Sequence, residues 1–369
     1  MLLFAGILAK GAWDVLIPVL PPYLFGILDS TVLTGIIMGS APVVTLILRP
    51  YISRKIYLHG TKSFIISGLI ASFAGTLGYP YFTGFVPLLI LRTVQGSGLI
   101  LFFFSSLTMV SLMIPENRRG ELFGIYTTVF IFPLLFSPIL GSYITESFYF
   151  AVLTKIAGGV IVLSTFLVLF IDRFRRKKKE EHMDISIWPV LKNRETFIPL
   201  LLIFFIITAD AGLLVFLPIA TAKYNIDNFT LYFTVFAFTT ISLRLALGKK
   251  FDLHPRRKLL IFSVFTIAAG IAILSKLTFG ALIIAGIIYG AGYAVADSNI
   301  LPYIFEGLRG TPREAAVTTY SIAFDSAYLA GPVFLGAIAE KTTYSTLFLF
   351  AAGLIAAAGF LFIFATQKV

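Results

Sequence analysis

The sequence predicts an all-α integral membrane protein, with twelve transmembrane helices in two pseudo-symmetric six-helix bundles. Three observations predict it. The chain of 369 residues is 58% hydrophobic and 13% charged, against roughly 25% charged in soluble domains. Nearly all of it divides into apolar runs of about 20 residues, each long enough to cross a bilayer about 30 Å thick, and helix is the form that satisfies every backbone group in lipid. The cations gather in every second connection between these runs, the pattern of cytoplasmic loops. A soluble protein with a large core is the competing reading, but soluble helices carry a polar face that these runs lack.

In order, the runs lie at about 2–26, 31–50, 63–81, 84–113, 121–143, 148–171, 196–222, 229–248, 258–275, 278–303, 315–338 and 344–366. The fourth and tenth are long enough to be split or tilted. The first begins at residue 2 and reads as a retained span, not a cleaved leader. Connections after even-numbered runs read RPYISRKIYLHGTK, DRFRRKKKEEHMD and GKKFDLHPRRK, and PENRRGE and FEGLRGTPRE also fall on that side. The remaining connections are short, with Lys223, Lys276 and Lys341 as their main cations. Both termini are therefore expected in the cytoplasm, with the protein in the cytoplasmic (plasma) membrane. A net charge of +11 distributed in this way points to the membrane surface and not to nucleic acid.

The run 172–195 is the one long hydrophilic segment. It divides the chain into an N-terminal bundle (1–171), a cytoplasmic linker (172–195) and a C-terminal bundle (196–369). The halves repeat at a spacing of about 194–195 residues: Arg49 recurs as Arg244, Gln95-Gly96-Ser97-Gly98 as Tyr289-Gly290-Ala291-Gly292, Tyr126 as Tyr320 and Pro138 as Pro332. Such order at nearly one offset suggests a duplicated six-helix unit, a common way to build membrane carriers.

Two motifs sit on this repeat. One is Gly248-Lys-Lys-Phe-Asp252-Leu-His-Pro255-Arg256-Arg257, with a worn first copy at Ser53, Tyr57, Gly60 and Lys62. The other is Arg92-Thr-Val-Gln95-Gly96-Ser97-Gly98 in the fourth run. With these motifs the whole chain resembles the major facilitator superfamily of secondary transporters, in particular its proton-coupled drug and metabolite exporters. The first motif matches G-x-x-x-D-x-x-G-R-R, departing at Pro255; the second matches R-x-x-Q-G-x-G. The stretches Pro133 to Ser142 and Gly331-Pro332 are similar to an exporter pattern in the fifth run and read as kinks and close helix contacts. The resemblance implies a cytoplasmic gate in which Asp252 pairs with nearby Arg, with Gly248, Arg256 and Arg257 beside it. It also implies that runs 1, 4, 7 and 10 line a central cavity. Trp13, Gln95, Tyr289, Tyr293 and Asp297 are then candidates for touching substrate.

Ionisable groups inside the runs carry the rest of the reading. A carboxylate at bilayer depth costs about 2.5–3.5 kcal/mol even on lenient scales and marks a functional site. Asp14, Asp210 and Asp325 lie within runs 1, 7 and 11 and are candidates for carrying a proton, with Arg92 as a fixed positive charge tuning one of them. Lys10 precedes Asp14 by four residues and shares its helical face, so the pair can also simply neutralise itself. Asp325 can equally serve packing between helices. Lys155 in the sixth run is expected to snorkel.

The chain contains no Cys, and its three His fall in separate loops. No P-loop, HExxH or G-x-S-x-G motif occurs. These patterns speak against a membrane enzyme or an ATP-driven pump, and neither cofactor nor metal is expected. The expected function is alternating-access transport of a small molecule, proton-coupled, by a monomer. Export of an amphipathic compound comes first, because few hydrogen-bonding side chains occur in runs 1, 4 and 7. Uptake of a sugar or other metabolite, or a non-transporting receptor of the same fold, are the alternatives.

Overall fold

Described residues of the computed structural model are 1–44, 46–47, 61–113, 130–171, 187–251, 253–308 and 313–367. Every regular element among them is helical. The chain divides into two compact units, Met1–Lys179 and Glu180–Val369.

The first unit opens with α1 (Leu2–Asp14) and α2 (Leu20–Leu28), followed by α3 (Thr31–Gly39), α4 (Thr61–Gly78), α5 (Phe85–Met113), α6 (Ser137–Ser147) and α7 (Phe150–Leu169). The first run, expected as one helix over 2–26, is broken between α1 and α2. Pro18 has no N–H to give the carbonyl of Asp14 four residues earlier. The tighter bonds Leu16 N–H to Trp13 O (3.1 Å) and Ile17 N–H to Asp14 O (3.2 Å) take over. Pro138, expected as a kink, lies instead in the first turn of α6, where a missing N–H costs nothing. The expected spans 31–50 and 121–143 run into residues outside those described.

The second unit holds the short α8 (Trp188–Lys192), then α9 (Arg194–Lys223), α10 (Leu231–Phe251), α11 (Arg256–Leu274), α12 (Phe279–Glu306), α13 (Arg313–Lys341) and α14 (Tyr344–Ala365). α5 and α12, long enough to split, are both continuous. The end of the hydrophilic segment is folded, since Val190 of α8 is buried against Leu200, Ile304, Ala315 and Ala316. Side chains of Asn193, Thr278 and Thr343 accept the first free N–H groups of α9, α12 and α14.

Nine of these helices, α4, α5, α7 and α9 to α14, are long and apolar enough to cross a membrane, among the described residues. Their outward faces stay apolar: Phe170, Phe238, Phe262 and Phe364 are each more than 60% exposed. That surface suits lipid and not water.

Each unit packs by the same scheme. α4 lies along α5, and α11 along α12; α7 covers α1 and α4, as α14 covers α9 and α11. Glycine sets the closest approach at matching places. A Cβ on Gly75 would stand 2.6 Å from Gln95 Cβ, and one on Gly270 would stand 2.8 Å from Tyr289 N. Small residues thus bring helix backbones together where no hydrophobic force separates protein from lipid.

Candidate functional site

In the first unit, Asp14 is the last residue of α1, at the proline break, and is fully buried. Lys10, one turn earlier, donates to its Oδ1, while its Oδ2 meets no hydrogen-bond donor among the described residues. Trp13, next to it, lies under the guanidinium of Arg92, 4.2 Å from ring centroid to Cζ. Arg92, reaching across from α5, also donates to Gln95 Oε1 at 2.9 Å. So Asp14 pairs with Lys10, and Arg92 is held by Gln95 and Trp13.

Gln95 is a hub inside this unit. Its Oε1 also accepts from the Tyr79 hydroxyl (2.8 Å), its Nε2 donates to Thr76 Oγ1 (2.9 Å), and its backbone carbonyl accepts from Ser72 (3.2 Å). With 1% of its surface exposed, its amide is engaged by neighbours on α4 and α5. Tyr79 went unnoticed in the sequence because it sits in a short 3-10 turn after α4, with nothing local to mark it.

In the second unit, Asp210 lies at the middle of α9, 8% exposed, and the hydroxyl of Tyr289 on α12 donates to its Oδ1. Tyr232 on α10 is also fully buried beside this charge, and its hydroxyl has no hydrogen-bond partner among the described residues. Phe236 packs on both Tyr289 and Tyr293, at 5.3 and 5.4 Å between centroids. Two turns further along α12, Asp297 forms an ion pair with Arg244 of α10. Arg244 was visible in the sequence only as the repeat of Arg49; a cation inside the apolar run ISLRLALG was the signal that it needed a buried partner. Asp325 is 7% exposed on α13.

Among the described residues, the arginines read as part of a gate have these partners. Arg256 donates to Glu306 (2.8 Å) and to Asn299 (3.5 Å). Arg257 donates to Thr366 Oγ1 (2.8 Å) and to the carbonyl of Ile363 (3.1 Å), closing the end of α14. Its repeat partner Lys62 does the same at the end of α7, with Nζ 2.6 Å from the carbonyls of Leu169 and Ile171. A Cβ at Gly248 would meet nothing within 4 Å among the described residues. Asp252 lies outside the described residues. Lys155 is exposed, as snorkelling requires.

A duplicated bundle of apolar helices, with ionisable groups buried inside each half, defines a multi-pass membrane transporter. The chain matches the Major Facilitator Superfamily over residues 2–305 and 212–369 and belongs to that family. A relative from Methanocaldococcus jannaschii, described as an uncharacterized MFS-type transporter, is 20% identical over 335 residues, covering 86% of this chain and 85% of that one. Multidrug resistance protein 3 of Bacillus subtilis is 24% identical over 152 residues, covering 41% of this chain and 28% of that one. Among solved structures, the nucleoside transporter NupG superposes with a TM-score of 0.80 at 11% identity, over 99% of this chain and 98% of that one. The peptide transporter POT in complex with sulfate superposes at 0.79 and 12% identity, over 100% and 94%. The human organic anion transporter MFSD10 superposes at 0.70 and 14%, over 98% of each. At these identities the likeness is one of fold.

Proposed function

We propose that this transporter is driven by protons and exports an amphipathic small molecule, working as a monomer by alternating access in the cytoplasmic membrane with both termini inside the cell. The observation that carries the reading is Asp210. It is a buried carboxylate at the middle of a spanning helix whose hydrogen-bond partner is a neutral phenol. A group so placed can gain a proton without stranding a cation, which Asp14 cannot do while Lys10 is bound to it. Asp210 is therefore the principal proton carrier, and Asp14 with Lys10 fixes the end of α1. Few free hydrogen-bonding groups line α1, α5 and α9, and the amide of Gln95 is already taken, which favours an amphipathic substrate over a sugar. The limited likeness to a multidrug resistance protein points the same way.

The test is proton movement into liposomes holding the purified protein, read by an internal pH dye. Lipophilic cations, organic acids, nucleosides and sugars are added in turn. A response to lipophilic cations, lost in Asp210→Asn but retained in a folded Asp14→Asn/Lys10→Met double variant, is expected. Concentrative transport that persists unchanged in Asp210→Asn would overturn the assignment.

A further inference from the structure

Tyr289, Tyr293 and Asp297 are spaced four residues apart on α12, so they share one face and rise along it by about 6 Å per step. The upper end of this stripe touches Asp210 through the Tyr289 hydroxyl. The lower end is the ion pair of Asp297 with Arg244. Tyr289 is 1% exposed, whereas Tyr293 is half-buried and the Asp297 side chain is 33% exposed. The two rings stack with centroids 6.1 Å apart and planes 27° from parallel. Phe236 holds both rings from α10, and Gly290 lets that helix approach, since a Cβ there would stand 2.8 Å from the Phe236 carbonyl.

The fold does not require this stripe. The corresponding positions of the first unit are Gln95, Leu99 and Phe103, on a helix of 29 residues against 28 and with the same packing scheme. Two phenols and a carboxylate in a row at bilayer depth are costly unless they serve a purpose.

We infer that the face Asp297–Tyr293–Tyr289 is the path by which protons reach and leave Asp210, with the Asp297–Arg244 pair as its mouth. The inference rests on Asp210 as proton carrier and adds its route. In the inward step the Asp297–Arg244 pair parts, Asp297 takes a proton from water at the mouth, and its new O–H bond then breaks as that proton passes to the Tyr293 oxygen. The Tyr293 proton passes to Tyr289, and the Tyr289 proton to Asp210 Oδ1. One proton moves in all, and each phenol ends with the proton it needs. Arg244 holds the emptied Asp297 as a carboxylate ready for the next proton. The ionisable groups facing the path are Tyr232 and Arg244 from α10, and Tyr320 and Tyr328 from α13.

The experiment follows the carboxylic C=O infrared band of Asp210 after a rapid pH drop, in the full-length protein in liposomes. Asp210→Asn identifies the band. In Tyr293→Phe and Asp297→Asn the band is expected to grow at least tenfold more slowly to the same final height, while Asp297→Glu keeps the native rate. A merely structural Tyr293 would shift the position or height of the band and leave its rate alone. Unchanged rates in both slow variants would overturn the path while leaving Asp210 as a proton carrier. Absence of any titrating Asp210 band in the native protein would overturn the path together with the proton-carrier assignment.

Discussion

Removing Lys10 leaves Asp14 buried without its cation. Breaking a buried ion pair from one side costs about 3–5 kcal/mol, whereas replacing both partners by neutral groups of similar size can cost little. Lys10→Met should therefore destabilise the protein strongly in urea unfolding in detergent, and Lys10→Met/Asp14→Asn should recover most of the loss. Equal stability of the single and native forms would show that the pair is not what holds α1. Gln95 gives a second residue-scale expectation. Gln95→Leu removes the acceptor of Tyr79 and Arg92 and the donor to Thr76. It should lower stability by about 2–4 kcal/mol, because buried polar partners are left unsatisfied. The two networks differ in how readable they were. Lys10 and Asp14 are one helical turn apart, so spacing alone joined them. Arg244 and Asp297 are 53 residues apart, and Tyr79 meets Gln95 only because a turn folds back after α4; no local pattern encodes either contact.

At the scale of elements, helix ends in long apolar runs were legible, and breaks within them were not. The runs expected over 196–222, 278–303 and 344–366 became α9, α12 and α14 within a few residues of those limits. The first run hid its break because Pro18 lies among apolar residues that suit a helix on either side. That break has a packing role. Gly141 of α6 sits against the turn it creates, where a Cβ would stand 2.0 Å from the Val15 carbonyl. Backbone cannot yield as a side chain can, so Gly141→Ala should destabilise by about 1–3 kcal/mol. Gly159 in α7 has nothing within 4 Å of a Cβ among the described residues, and Gly159→Ala should be neutral or slightly stabilising, as its helix propensity improves. Thermal melting of the two variants side by side checks the contrast.

On the scale of the whole molecule, duplication is what made the fold readable, because helices of each half meet in the same order. It also gives the last cation of each motif copy a place in the fold. Lys62 and Arg257, 195 residues apart, each bind the last carbonyls of the final helix described in their own half, α7 and α14. A cation there meets both the free acceptors and the negative end of the helix dipole. Arg257→Ala should speed amide hydrogen exchange at the end of α14 and leave α7 unchanged; Lys62→Ala should do the reverse. Exchange read by mass spectrometry on peptides from both ends decides it.

The Lys62 clamp has a further consequence. It ties Ile171 to the first half, while buried Val190 and the bond from Asn193 to the Gly307 carbonyl (2.9 Å) tie the other end of the hydrophilic segment to the second half. Each half therefore secures its own end of the segment with its own groups, so a cut in the chain between Ile171 and Val190 should leave both moorings intact.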